Sequence, residues 1–71
     1  MELGLYEHYK GKLYNVFAIA RHSETLETLV VYQALYGDYG IWVRSLDMFQ
    51  EEVMIDGKKY PRFKFIKSIL N

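Results

Sequence analysis

The chain contains no cysteine and a single proline, carries no excess of charge of either sign, and has no long apolar run. Each absence excludes a class. Without cysteine there are no disulfide staples, thiolate zinc sites, iron–sulfur ligands or cysteine nucleophiles, so apolar burial has to hold the fold. No segment approaches the ~20 apolar residues that cross a bilayer as a helix. The start Met1-Glu2-Leu3-Gly4 lacks the basic and apolar regions of a signal peptide, so the expectation is a cytoplasmic protein with no membrane partner. At 71 residues the chain is too short for a second domain, a paired dinucleotide-binding fold or an eight-fold β/α barrel. Residues 1–71 therefore read as one domain. A domain near this size buries only about 60% of the surface its unfolded chain exposes, which leaves a homodimer open as a further source of burial.

What the chain has in excess is aromatic. Seven tyrosines, four phenylalanines and one tryptophan sit among β-branched residues in short runs separated by glycine, which is strand chemistry. Leu5 to Tyr9 reads as a first strand, Lys10-Gly11 as a tight turn and Lys12 to Arg21 as a long second strand. His22 to Glu27 breaks the apolar pattern as a loop or helical turn, and Thr28 to Tyr36 forms a third strand. Gly37 to Gly40 supplies the glycines of a reversal before a fourth strand, Ile41 to Arg44. Ser45 can then cap one helical turn that puts Leu46 and Phe49 on a common face. Asp56-Gly57 is the strongest hairpin signal, between Glu51 to Ile55 and Lys58 to Phe65, with Ile66 to Asn71 as a short helix or frayed end.

Sequential strands with tight turns predict an antiparallel meander, because parallel pairing needs long crossovers. The second and third strands are apolar at both parities, so neither face is expected to lie fully in water. The fold class expected is therefore mainly β: a small antiparallel five-stranded barrel, Src-homology-3-like, with one short helical turn. The alternative is a curved sheet with the helical turn packed across it.

If Lys10-Gly11 is a two-residue turn, His8 faces Leu13. His22 then lies roughly 30 Å further along the second strand, at ~3.3 Å per residue. The two histidines are thus not expected to share a metal, and no cofactor is implied. Arg21, His22, Ser23, Glu24 and Thr25 form the densest run of reactive side chains. Hydroxyl, imidazole and carboxylate are the ingredients of nucleophilic catalysis, but adjacent residues in extended chain point to opposite sides, so no catalytic residue is assigned. The structural alternative is a capped turn. Trp42 and Arg44 share a parity; in a regular hairpin Trp42 faces Leu35 and Arg44 faces Gln33. This pair reads either as a core anchor with Arg44 paired to a carboxylate such as Glu24, or as a recognition patch for an anionic group beside an aromatic platform.

The cancelled charge is unevenly distributed. Residues 1–56 hold four basic and nine acidic groups, whereas 57–71 hold Lys58, Lys59, Arg62, Lys64 and Lys67 with no acid. Along one continuous strand Lys58, Tyr60, Arg62 and Lys64 share a face, a stripe able to track phosphates and stack a base. Opposing it, the Asp56-Gly57 hairpin sets Glu51 against Arg62 and Val53 against Tyr60.

These residues also carry a resemblance. Y-x-H-Y-K-G-x-x-Y from Tyr6, A-R-H-S-E-T-x-E at Ala20 to Glu27, V-V-Y-x-x-L-Y-G at Val30 to Gly37, W-V-R at Trp42 to Arg44, Met48-Phe49, Asp56-Gly57 and Pro61-Arg62-Phe63 resemble a bacterial family of small proteins, domain-of-unknown-function family 1653. The family pattern has a proline commonly following W-V-R where this chain has Ser45. The resemblance implies a compact bacterial domain and brings no activity to transfer. It gathers Tyr6, His8, Tyr9, Lys10, His22, Ser23, Glu24, Thr25, Tyr32, Tyr36, Trp42, Arg44 and Arg62, more polar groups than core packing requires. The function expected is a non-enzymatic binding module for a peptide, protein or nucleotide ligand or a modified base, through Arg21, His22, Ser23, Glu24, Thr25, Trp42 and Arg44. The alternatives are a nucleic-acid-binding domain using Lys58, Tyr60, Arg62 and Lys64, and a small enzyme using His22 and Glu24.

Overall fold

The computed structural model describes residues 1–69. Within them the chain runs β1 (Gly4–His8), β2 (Leu13–Arg21), β3 (Thr28–Ala34), β4 (Ile41–Ser45), α1 (Leu46–Phe49), β5 (Glu52–Ile55), β6 (Lys58–Pro61) and β7 (Phe63–Lys67). The first four strands form the expected antiparallel meander, and β7 returns beside β1 to give the order β4-β3-β2-β1-β7. β5 and β6 pair only with each other.

The expected barrel is not what forms. The five-stranded sheet stays open, with β4 and β7 as its two edges. The cause lies at Arg62. The run from Lys58 to Lys67 is divided there, its first half pairing with β5 and its second with β1, so among the described residues no strand bridges the edges. The helical turn packed on a sheet is the arrangement adopted instead. Ser45 caps α1 by accepting the Met48 N–H on its hydroxyl at 3.2 Å, and the single turn drops Phe49 onto the sheet, where it is 1% exposed. The chain end also differs from expectation: Ile66 and Lys67 belong to β7, while Leu70 and Asn71 lie outside the described residues.

The core is aromatic. Phe49 stacks on Phe63 with centroids 4.1 Å apart, and both meet Tyr32 edge-on. Tyr6 meets Phe49 and Phe65 edge-on, while Val16 and Val30 close the floor. Such ring pairs each add about 0.5–1.5 kcal/mol beyond the area they bury. The opposite face of the sheet carries Ile41 and Val43, about three-fifths exposed at 61% and 60%, beside Leu29 and Val31. Apolar residues at both parities of β2 have a second origin. A bulge at Phe17 moves the inward parity from Val16, opposite Tyr32, to Ile19, opposite Val30.

Candidate functional site

Two hairpins decide which side chains meet. The β1–β2 connection is not the two-residue turn expected: His8 N–H donates to the Lys12 carbonyl at 2.8 Å, and Gly11 adopts φ of 100°, a left-handed value that favours glycine. The register becomes Tyr6 opposite Tyr14 and Glu7 opposite Leu13. A slip of one residue reverses every facing relation, so His8 shares its face with Tyr14 rather than Leu13. The β3–β4 register is also corrected. Trp42 lies opposite Tyr32 and Arg44 opposite Val30, not opposite Leu35 and Gln33, because β3 ends at Ala34 and the loop from Leu35 to Gly40 is longer than four glycine-bounded residues.

These registers build a polar aromatic face above the core. Phe63 is its buried hub, with the rings of His8 at 4.9 Å and of Tyr14 at 5.5 Å, and the Arg44 guanidinium carbon 5.9 Å from its centroid. Arg44 is half-buried and its Nε reaches the Tyr32 hydroxyl at 3.5 Å. It does not pair with Glu24, as one expectation had it; among the described residues the ion pair that forms is Arg62 with Glu51, at 3.1 Å. The Tyr14 and Tyr36 hydroxyls share a hydrogen bond of 2.6 Å. Burial, then that bond, pushes the Tyr14 phenol up to about 12. Burial pushes the His8 imidazole down, and the nearby Arg62, Lys10 and Arg44 charges push it further in the same direction. Lys12 sits over the Tyr36 ring at 5.0 Å.

The Arg21 to Thr25 segment has a local occupation. His22 Nδ1 accepts the backbone N–H groups of Glu24 and Thr25 at 3.1 and 3.3 Å, and Thr25 Oγ1 accepts that of Glu27. The His22 N–H and carbonyl bond Glu27 and Leu26, which closes the loop. The loop sits at the Thr28 end of β3, where Arg21 pairs with Thr28, while Trp42 and Arg44 lie on β4 opposite Tyr32 and Val30. Ser23 and Glu24 are exposed. Thus Arg21, His22, Ser23, Glu24 and Thr25 gather at one turn, whereas Trp42 and Arg44 are placed by β4. Trp42 is 59% exposed on the edge strand.

The basic run is divided as well. Lys58 and Tyr60 are on β6, Lys64 is on β7 opposite Glu7, and Arg62 at the bend between them is held by Glu51. One stripe on one strand, as expected from the sequence, is therefore corrected to two short segments. The expected facing of Val53 with Tyr60 is present, and Arg62 N–H donates to the Glu51 carbonyl at 2.9 Å. Between this hairpin and β1 lies a groove of about 320 Å³ lined by Glu7, His8, Tyr9, Ile55, Tyr60, Pro61 and Lys64. His8 thus belongs to both the groove and the aromatic face. Among the described residues no three His, Asp or Glu side chains converge as a metal-ligand set.

Spacing alone did not bring His8, Tyr14 and Phe63 together, because the β1–β2 register is one residue away from the expected one and Phe63 meets His8 through the pairing of β7 with β1, which local sequence does not state. The available signal was the density of tyrosine and histidine in the Tyr6 to Tyr14 motif.

Comparison with known proteins agrees with the motifs. No curated protein matches the chain. The crystal structure of a DUF1653 protein from Bordetella bronchiseptica is 34% identical, with a TM-score of 0.88 over 100% of this chain and 94% of that one. The family model described as a protein of unknown function, DUF1653, matches residues 4–65, and the chain belongs to that family.

Proposed function

We propose that the protein is a non-enzymatic binding module that takes a nucleotide-sized polar ligand on the face formed by His8, Tyr14, Tyr32, Tyr36 and Arg44. The observation that carries this is Arg44. A half-buried guanidinium resting on an aromatic hub, with a tyrosine hydroxyl and no carboxylate as its partner among the described residues, has most of its donors free for a ligand. Core packing would favour an apolar side chain there, since even a half-buried guanidinium gives up part of its hydration. The neighbouring 320 Å³ groove is of a size that holds part of a small molecule. Catalysis by His22 is disfavoured because its imidazole caps a turn and Glu24 offers it a backbone N–H, not a carboxylate.

Amide chemical-shift mapping with nucleoside monophosphates, free bases and short peptides tests the proposal. Perturbations are expected at Tyr14, Tyr32, Tyr36 and Arg44 and are expected to vanish in Arg44→Gln. Silence at those residues across the panel would refute it. The second reading, nucleic-acid contact through Lys58, Tyr60, Arg62 and Lys64, is supported by Tyr60 and Lys64 lining the same groove. It predicts perturbations centred on β6 with single-stranded oligonucleotides, and an affinity that falls steeply with salt.

A further inference from the structure

We propose that the ligand on this face carries an oxyanion, phosphate or carboxylate, seated on the Arg44 guanidinium and the tyrosine hydroxyls beside His8. The inference rests on the binding-module reading and narrows it to an anionic ligand class.

The donors outnumber the acceptors. Arg44 offers a planar fork of N–H groups suited to a two-pronged contact with a carboxylate or phosphate, and phenol hydroxyls can complete the shell. The rings bearing those hydroxyls are contiguous: Tyr32 touches Tyr14, and Tyr14 touches Tyr36. His8 Nδ1 accepts the Lys10 backbone N–H at 3.2 Å, which leaves Nε2 to carry the proton and act as a further donor.

The charges that press on His8 are positive, while Glu7 and Lys64 line the same groove. Arg44 comes from β4, Lys10 from the β1–β2 turn and Arg62 from the bend between β6 and β7, and all three press on the imidazole. The acid on Arg62 is Glu51; Glu7, the other carboxylate nearby, stands opposite Lys64 across the β1–β7 pair. Arg62 Nε is buried without a partner among the described residues. That N–H is sealed from solvent, so Arg62 contributes positive charge near His8 and is not itself a contact point for a ligand. An anion bound here would relieve that electropositive surrounding.

His8 is therefore a built-in reporter. The experiment follows its imidazole resonances by NMR between pH 5 and 7 in sodium chloride, then in inorganic phosphate or acetate at matched ionic strength, then with adenosine monophosphate and adenosine. Phosphate, acetate or the monophosphate is expected to raise the His8 midpoint relative to chloride. The His22 resonances are expected not to respond. Arg44→Gln is expected to abolish the rise and Arg44→Lys to leave a smaller one, with amide dispersion at Tyr6 and Phe49 reporting that both variants are folded. Equal His8 midpoints in chloride and in every oxyanion overturn the proposal, as does a rise that survives Arg44→Gln. If adenosine perturbs Tyr14, Tyr32 and Tyr36 while no oxyanion moves His8, the face binds ligand and the anionic class is wrong. If nothing perturbs the face, both readings fail together.

Discussion

At the scale of single residues, two ionisable groups give the aromatic face its response to pH. Tyr14 holds its proton up to about 12 because burial and the Tyr36 hydroxyl disfavour the phenolate. A phenol raised above its unfolded value of 10.0 contributes stability fully below pH 10 and loses it as pH climbs toward about 12. Tyr36→Phe removes the hydrogen bond and one potential like charge. Ultraviolet titration of the variant is expected to show its highest-titrating tyrosine ionising lower than in the parent, and an unmoved highest midpoint would leave burial as the whole cause. His8 acts on the other limb. Its folded value lies below 6.5, so the unfolded chain binds more protons between the two. Its contribution is present above pH 6.5 and is lost as pH falls through that value toward the lower folded one. Thermal melts are expected to weaken from pH 7 to pH 5, and His8→Gln is expected to flatten that slope; an unaltered slope would place its origin elsewhere.

At the scale of elements, α1 shows how little local propensity is needed once packing is available. Four residues make one turn, far short of the ~12–15 at which an isolated helix becomes even marginal in water. Ser45 starts it and Phe49 anchors it, and the two contributions differ in kind. Ser45→Ala is expected to cost about 1 kcal/mol through the lost cap. Phe49→Ala is expected to cost ~3–5 kcal/mol by opening a cavity between Tyr6, Tyr32 and Phe63. Urea denaturation measures both, and comparable losses would contradict the anchor role. The turns divide similarly into those legible from residue type and those not. Asp56 and Gly57 take φ of 51° and 78°, the paired left-handed values that an Asp-Gly hairpin demands, and the register read from them is the register formed. Lys10-Gly11 and Gly37 to Gly40 also contain glycine, but glycine marks a reversal without stating its length. The first register shifts by one residue and the second by three, which turned His8, Trp42 and Arg44 toward partners other than those expected.

For the whole molecule, the two edges of the sheet are guarded unequally. β7 carries Lys64 and Lys67, whereas β4 presents Ile41, Trp42 and Val43 with Arg44 alone as a charge. An exposed apolar edge strand is a template for unwanted pairing. Val43→Lys is expected to change stability by no more than about 0.5 kcal/mol and to reduce light scattering during a thermal ramp. A loss of several degrees in Tm would mean that Val43 is covered in solution. Charge is reorganised at this scale too. The basic C-terminal segment returns beside β1, Arg62 meets Glu51, and Lys64 lies opposite Glu7, so local asymmetry in sequence becomes proximity in space. Residue types and their order determined the first four strands, the Ser45-capped turn, the Asp56-Gly57 hairpin and the family, because each rests on chemistry confined to a few neighbouring residues. The tertiary structure decided that the sheet stays open, that Phe63 becomes a hub under His8, Tyr14 and Arg44, and that His22 serves its own turn. Those outcomes depend on register, the Phe17 bulge and the division at Arg62, which are settled by pairing between distant segments and by the burial of Phe49.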